Sequence, residues 1–308
     1  MSGADASVAR GARSEAALQG AAVGISVVTA TVGRHETLLR KAAAMAEQTL
    51  DRSRWEWLVA FDGPQPDLER DLRAALPASI DLTTVTTDGV GPGRARDAAA
   101  ELARFPRLLL SDDDCLPDAE ALERHADAQR VPGVVIGTVV FATEGTEDVL
   151  PPPRRPGWWN LAGANTSLPT AAFREVGGFG DATHGYGGED LWLGWRLAQE
   201  GVPFRALPEA RVVHLGPDPQ RAGDTAKAYQ AGANAVRLAR RERAIAWRLG
   251  VHPALLRLKA WWLALGAPGS DLARRTYERE YARGARDAWA DPAELRTGRR
   301  PGAREDDR

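Results

Sequence analysis

From about residue 21 to residue 110 the chain alternates short apolar runs with amphipathic stretches. That alternation constrains its fold more than any single residue does. AAVGISVVTAT (21–31) is rich in β-branched residues and has the length of a buried strand. HETLLRKAAAMAEQTL follows, with Leu38, Leu39, Ala42, Met45 and Ala46 at helical spacing. WEWLVAFDG reads as a second strand ending at Asp62, Pro64 and Pro66 mark a loop, and PDLERDLRAAL reads as a second helix. SIDLTTVTT predicts a third strand, RARDAAAELARF a third helix and LLLSDDD a fourth strand. Strand–helix repetition of this kind predicts an α/β fold with a mostly parallel sheet covered by helices on both faces. Ligands of such sheets sit beyond the carboxyl ends of the strands. Thr31, Asp62, the Gly89–Gly93 loop and the aspartates after Leu110 all fall there.

The stretch Leu108 to Pro117, LLLSDDDCLP, concentrates three carboxylates at one such strand end. Asp112, Asp113 and Asp114 repel one another and call for compensation by solvent or a cation. In an extended segment side chains alternate with period two, so Asp112 and Asp114 would face one divalent ion, Mg2+ or Mn2+. A solvated acidic turn is the competing reading, and the bare triplet leaves both open. Pro117 is expected to end regular structure. The loop GVGPGRARD has neither a dinucleotide fingerprint nor a phosphate-loop Gly-Lys-Ser/Thr, but it presents Arg94 and Arg96 to a base or phosphate.

Past Pro117, DAEALERHADAQR predicts a helix and VPGVVIGTVVFAT one or two strands. PPPRRPGWW is a stiff loop whose Trp158 and Trp159 would either stack on a ligand or pack in the core. A glycine-rich turn, Gly185 to Gly188, delivers Glu189 and Asp190 to the start of an apolar helix. These two carboxylates serve either as helix-end charges or as a catalytic base. VPFRALPEARVVHLG predicts two short extended pieces, with His214 at the end of the second as a structural residue or an extra metal ligand. TAKAYQAGANAVRLARRERAIAWRLG predicts a helix or two. HPALLRLKAWWLALGAP, with Trp261 and Trp262, would dock on the catalytic domain, form a dimer contact or touch a membrane surface.

Composition narrows the function. A net charge of −2 gives no electrostatic case for nucleic-acid binding. The single cysteine, Cys115, excludes an internal disulfide framework and a cysteine zinc cluster. No run approaches the roughly 18 uninterrupted apolar residues of a membrane span, which predicts a cytoplasmic protein.

Seven pieces, in order, carry a family resemblance: SVVTATVGR, WLVAFDG, GPGRARD, LLLSDDDCLP, VGGFGD, HGYGGED and VVHLG. From about Ile25 to Gly216 the chain resembles a family 2 glycosyltransferase of the GT-A fold, with GGFGD through GYGGEDLWLGWRL resembling the carboxyl-terminal module of galactosyltransferase-type enzymes. The resemblance implies sugar transfer from a nucleotide-diphosphate donor, most often a uridine one, to a nucleophilic acceptor: a small molecule, a peptide or a lipid-linked group. It implies that Asp112 and Asp114 are the ends of an Asp-X-Asp motif, with Asp114 on the metal, Asp112 on the ribose or metal shell and Asp113 between them at the nucleotide sugar. His214 matches a histidine that completes the metal site in some relatives. Asp190 matches the catalytic base, and Glu189 its neighbour that orients the acceptor. Thr31, Arg34, Asp62, Arg96, Trp159 and Tyr186 fall to the nucleotide-sugar site. Phe61, where the family often has an aspartate, Asp97 in place of asparagine, and Gly33 are departures that bear on base recognition.

The chemistry asks for two separate acidic stations. One holds a divalent ion that neutralises the leaving β-phosphate oxygen, and the other takes the acceptor proton during attack from the far face, with inversion. Asp112–Asp114 and Glu189–Asp190 meet that requirement. The rival readings are a catalytically silent nucleotide-sugar-binding scaffold and a nucleotidyltransferase; the latter would want more glycine and basic residues than TATVGRHE offers. The expected organisation is a disordered tail over 1–20, a GT-A domain over 21–216, a helical extension over 217–295 and a disordered tail over 296–308, with a homodimer or peripheral membrane contact as possible uses of the extension.

Overall fold

The structure, a computed structural model, describes residues 23–143, 146–183, 185–218 and 222–290. The tails expected over 1–20 and 296–308 lie outside the described residues, as do the outer edges of the two expected domains at 21–22 and 291–295. The chain divides into two compact units. The first comprises residues up to 178 together with 193–215, and the second 179–192 together with the residues from 216 on.

The first unit is the predicted α/β arrangement. In chain order it holds β1 (Ile25–Thr31), α1 (His35–Ala46), β2 (Trp55–Asp62), α2 (Pro66–Ala75), β3 (Leu82–Thr87), α3 (Pro92–Glu101), β4 (Arg107–Leu110), β5 (Cys115–Pro117) and α4 (Ala121–Ala128). Then come β6 (Val134–Thr143), β7 (Thr146–Leu150), β8 (Thr166–Pro169), α5 (Thr170–Glu175) and β9 (Phe204–Leu215). Helix α6 (Glu189–Gln199) begins in the second unit and ends in the first. Among the described residues the sheet has nine strands in the order β3-β2-β1-β4-β8-β6-β9-β5, with β7 beside β6. β3, β2, β1 and β4 are parallel, and β8 joins β4 antiparallel.

β1 and β2 are buried along nearly their whole length, which is why they read as continuous apolar runs rather than as alternating ones. One face of β2, carrying Trp55, Trp57, Val59 and Phe61, packs with Leu38, Ala42 and Met45 of α1 and with Leu68 and Leu72 of α2. Pro117 does not end regular structure; it is the last residue of β5, which pairs with β9. VPFRALPEARVVHLG is one strand rather than two. The β6–β9 register jumps between Gly137 and Thr138, from Leu207 to Arg211 as partner, so the residues around Pro208 bulge without breaking the pairing. β8, absent from the sequence reading, is a four-residue central strand with buried Thr166 and Ser167. Their hydroxyls are satisfied internally: Thr166 donates to the Ala162 carbonyl, and Ser167 meets His125 and Gln129. His125 is fully buried between Ser167 and Asn165, and that burial pushes its imidazole down to about 4.

The second unit is helical: α7 (Thr225–Arg241), α8 (Ile245–Arg248), α9 (Pro253–Ala264) and α10 (Leu272–Ala290). Asp224 caps α7 by accepting from the Lys227 amide at 3.0 Å. α7 and α10 run antiparallel at glycine-limited separation. A Cβ on Gly232 would collide with the Tyr281 carbonyl, and one on Gly284 with the Tyr229 carbonyl. Ala235, Val236, Ala239, Ala282 and Ala285 fill the rest of that seam. Among the described residues no helix is long and apolar enough to cross a membrane.

Candidate active site

Because β1 to β4 are parallel, their carboxyl ends share one edge of the first unit. At that edge Thr31 Oγ1 donates to Asp113 Oδ2 at 2.7 Å and accepts from the Gly33 amide at 3.2 Å. Asp62 holds the glycine-rich loop in place. It accepts from the amides of Val90 (2.7 Å) and Gly91 (2.8 Å) and from Thr87 Oγ1 (2.8 Å).

The three aspartates do not continue β4. The chain turns at Asp113–Asp114, with the Cys115 amide donating to the Asp112 carbonyl at 3.1 Å. The turn cancels the period-two argument, and each carboxylate gains different company. Asp112 pairs with the buried guanidinium of Arg96. Asp113 is buried against Thr31, 3.3 Å from Arg34; burial raises its carboxyl above the usual range, although Thr31 and Arg34 pull the other way. Asp114 pairs with Arg34 and faces His214, whose Nε2 lies 3.5 Å from Oδ1. Arg96 thus takes Asp112, whereas Asp114 is the aspartate that meets His214.

Strand pairing explains that meeting. β5 runs antiparallel to β9 with Cys115 opposite His214, and β6 sets Phe141 opposite the same histidine, its ring 4.9 Å away. Asp114, Cys115 and His214 present donor atoms within 4.8 Å of one another. His214 Nδ1 is buried without a hydrogen-bond partner among the described residues. A carboxylate and an imidazole make a donor set that suits Mn2+ and tolerates Mg2+ less well. The Cys115 thiol fits such an ion poorly. Burial holds its pKa well above the usual value, and it donates to Asp114 Oδ1 at 3.8 Å.

Beneath the turn lies a residue that sequence reasoning passed over. Lys41 is fully buried and donates to Ser111 Oγ (2.6 Å) and to the carbonyls of Asp112 (2.7 Å) and Cys115 (2.9 Å). Burial lowers its pKa, and the nearby thiol and aspartates oppose that shift. Its position was a signal in itself: Lys41 sits on the buried stripe of α1 with Leu38, Ala42 and Met45.

In the second unit Gly185, Gly187 and Gly188 adopt left-handed backbone at φ of 67°, 85° and 102°. A side chain at Gly188 would also press on Thr183 at 2.9 Å. α7 holds this loop by its backbone. Gln230 Oε1 accepts from the Tyr186 amide (3.0 Å), while Asn234 Nδ2 donates to the carbonyls of Tyr186 (3.1 Å) and Gly187 (2.8 Å). Gln230 and Asn234 were not legible as site residues, because only the tertiary fold brings them to the loop. The Gly188 carbonyl accepts from the Trp192 amide, so the loop opens directly into α6 with half-buried Glu189 and Asp190 in its first turn. Tyr186 is partly exposed, with the Lys227 ammonium 5.1 Å from its ring centre. Of the tryptophan pair, Trp158 is core, edge-on to Trp195 at 5.3 Å, and Trp159 is 38% exposed.

Residues 26–182, about half the chain, match the family profile described as glycosyl transferase family 2, and residues 151–216 match the one described as the N-terminal domain of galactosyltransferase. Validoxylamine A glucosyltransferases from Streptomyces hygroscopicus subsp. limoneus and subsp. jinggangensis are each 27% identical over 231 residues, covering 60% of this chain and 50% and 54% of theirs. The chain spans about half the length of these curated relatives. Among solved structures, a mannosyltransferase from Pyrobaculum calidifontis in complex with GDP-Man and Mn2+ superimposes with a TM-score of 0.62 at 16% identity, covering 92% of this chain and 89% of that one. The TarS protein of S. aureus in complex with UDP gives 0.52 at 15% identity, covering 87% and 91%. The fold is that of the GT-A glycosyltransferases, and the chain belongs to glycosyl transferase family 2.

Proposed function

We propose that the protein is a metal-dependent, inverting glycosyltransferase that moves a sugar from a nucleoside-diphosphate donor to a hydroxyl or other nucleophilic acceptor. The observation that carries this reading is the meeting of Asp114 with His214 at the strand-end edge that also holds Thr31, Asp62 and Arg96. Family membership supports the reaction class, and the curated glucosyltransferase relatives make a glucosyl donor the first to test. Related folds have been captured with GDP-Man and with UDP, so both guanosine and uridine donors are to be compared.

Asp114 and His214 would hold Mn2+, or less readily Mg2+, and that ion when bound supplies Lewis acidity at the diphosphate. Arg34 and Arg96 exchange an aspartate partner for a phosphate oxygen, which a guanidinium meets in the same planar geometry. Thr31 and Asp62 line the nucleoside end, with Tyr186 and Trp159 as flat surfaces for the sugar or acceptor. Asp190 takes the acceptor hydroxyl proton as that oxygen bonds to the anomeric carbon and the bond to the diphosphate oxygen breaks on the opposite face. Glu189 orients the acceptor.

Calorimetric titration of UDP and GDP, with and without Mn2+, tests the proposal. It predicts Mn2+-dependent binding of one nucleotide, lost in Asp114→Ala and kept in Asp190→Asn. Turnover of the matching nucleotide sugar should fall by about a hundredfold or more in Asp190→Asn, the range general-base catalysis supplies. No binding of either nucleotide in either condition would overturn the proposal, and nucleotide binding with no turnover of the matching nucleotide sugar would bring the catalytically silent scaffold forward.

A further inference from the structure

The second unit presents a surface that the catalytic reading does not use. On α9, Leu258, Trp261 and Leu265 are 62%, 66% and 58% exposed. Spaced i, i+3 and i+7, they lie on one side of the helix, opposite to buried Leu256. Trp247 on α8, stacked on His252 at 4.1 Å, is exposed as well. Large apolar side chains gathered on one element mark an interaction surface.

Charge identifies the occupant. Between Glu242 and Asp271 there is no acidic residue but four basic ones, Arg243, Arg248, Arg257 and Lys259, in a chain whose net charge is −2. Lys259 is turned inward to Glu278 at 2.6 Å. Arg257 is exposed beside a groove of about 400 Å3, which it shares with Arg286 over an apolar floor of Leu256, Ala260 and Trp289. Neither arginine pairs with an acidic group among the described residues. A second copy of the same face would set like charge against like charge, and a neutral apolar partner would leave the two guanidiniums uncompensated.

We propose that α8 and α9 dock on an anionic phospholipid bilayer. Trp261, Leu258 and Leu265 enter the interface, while Arg257 and Arg286 meet headgroup phosphates above the apolar groove. The inference stands on this surface alone and is read without turnover, so its outcome is separate from that of the transferase reading.

The test is flotation of the full chain with phosphatidylcholine vesicles, with and without phosphatidylglycerol, together with tryptophan emission. The expected result is co-flotation and a blue shift with phosphatidylglycerol vesicles only, weakening as salt rises. Binding should drop at least tenfold in Trp261→Ser combined with Leu258→Ser, and by a similar factor in Arg257→Gln combined with Arg286→Gln. Circular dichroism would confirm that both variants keep their helices. No association with phosphatidylglycerol vesicles, equal association with both vesicle types, or wild-type binding by the variants would overturn the proposal. So would a concentration-dependent dimer abolished by Trp261→Ser, which would assign the face to a second copy.

Discussion

The molecule presents its carboxylates in two ways. The Asp112–Asp114 turn is held by charge: a buried ammonium from below and two guanidiniums from the side, with every aspartate paired. The Gly185–Asp190 segment is held by neutral amides, Gln230 and Asn234, acting on the backbone of a left-handed glycine loop. Ionic fixation in a desolvated place is rigid, and it fails badly when one partner is removed. Amide-to-carbonyl fixation is worth about 1 kcal/mol per bond, and its loss is graded. The first arrangement fixes where charge sits, and the second fixes a backbone path while leaving its carboxylates at the start of a helix.

The comparison breaks most readily at Lys41. Lys41→Met leaves three buried oxygens without their donor, so destabilisation of about 3–5 kcal/mol is expected in urea unfolding. A loss below about 1 kcal/mol would mean that Lys41 does not hold the turn from below. Acid should strike the same unit next. His125 is held neutral with its pKa at about 4, below the ordinary value of about 6.5. Its contribution is complete above pH 6.5 and disappears as pH falls through that window to 4, a loss of roughly 3 kcal/mol. His125→Gln should flatten the stability profile between those pH values.

On the amide-held side, Asn234→Ala removes two hydrogen bonds to the loop and should cost about 2 kcal/mol. Amide hydrogen exchange should locate the loosening at residues 185–188, with the sheet unaffected. An equal loosening of the Asp112–Asp114 turn would show that the two stations are not independent. The smallest effect is expected for Lys227→Met, which removes the cation over Tyr186 and should cost about 0.5–1 kcal/mol. Thermal melting with and without added salt would read that change.

Much of the first unit was legible because β1, β2 and β4 are apolar on both faces and separated by helices of clear period. β8 was hidden by its brevity, its terminal proline and the polarity of Thr166 and Ser167, which only a long-range partner such as His125 makes tolerable inside a sheet. β9 looked like two pieces because Pro208 falls at a bulge. At the site, residue types were legible and pairings were not. Alternation put Asp112 with Asp114, but a turn intervenes, and the partner of Asp114 arrives from a residue a hundred positions later through strand pairing. Residues 179–192 read as part of one domain to 216, yet they form a compact unit with the helices that follow, because Gln230 and Asn234 hold them there.

Cys115 gives the protein a stopwatch. It is the chain's single thiol and is fully buried, one residue from Asp114 and hydrogen-bonded to its carboxylate. An aromatic disulfide reagent therefore has one target, and it reaches that target only when β5 and the aspartate turn that leads into it open away from β9. Under native conditions the rate of colour release reports how often that happens. Anything that clamps the turn shut slows the reaction, so occupancy of the acidic edge can be followed by eye, without a substrate and without knowing what the acceptor is.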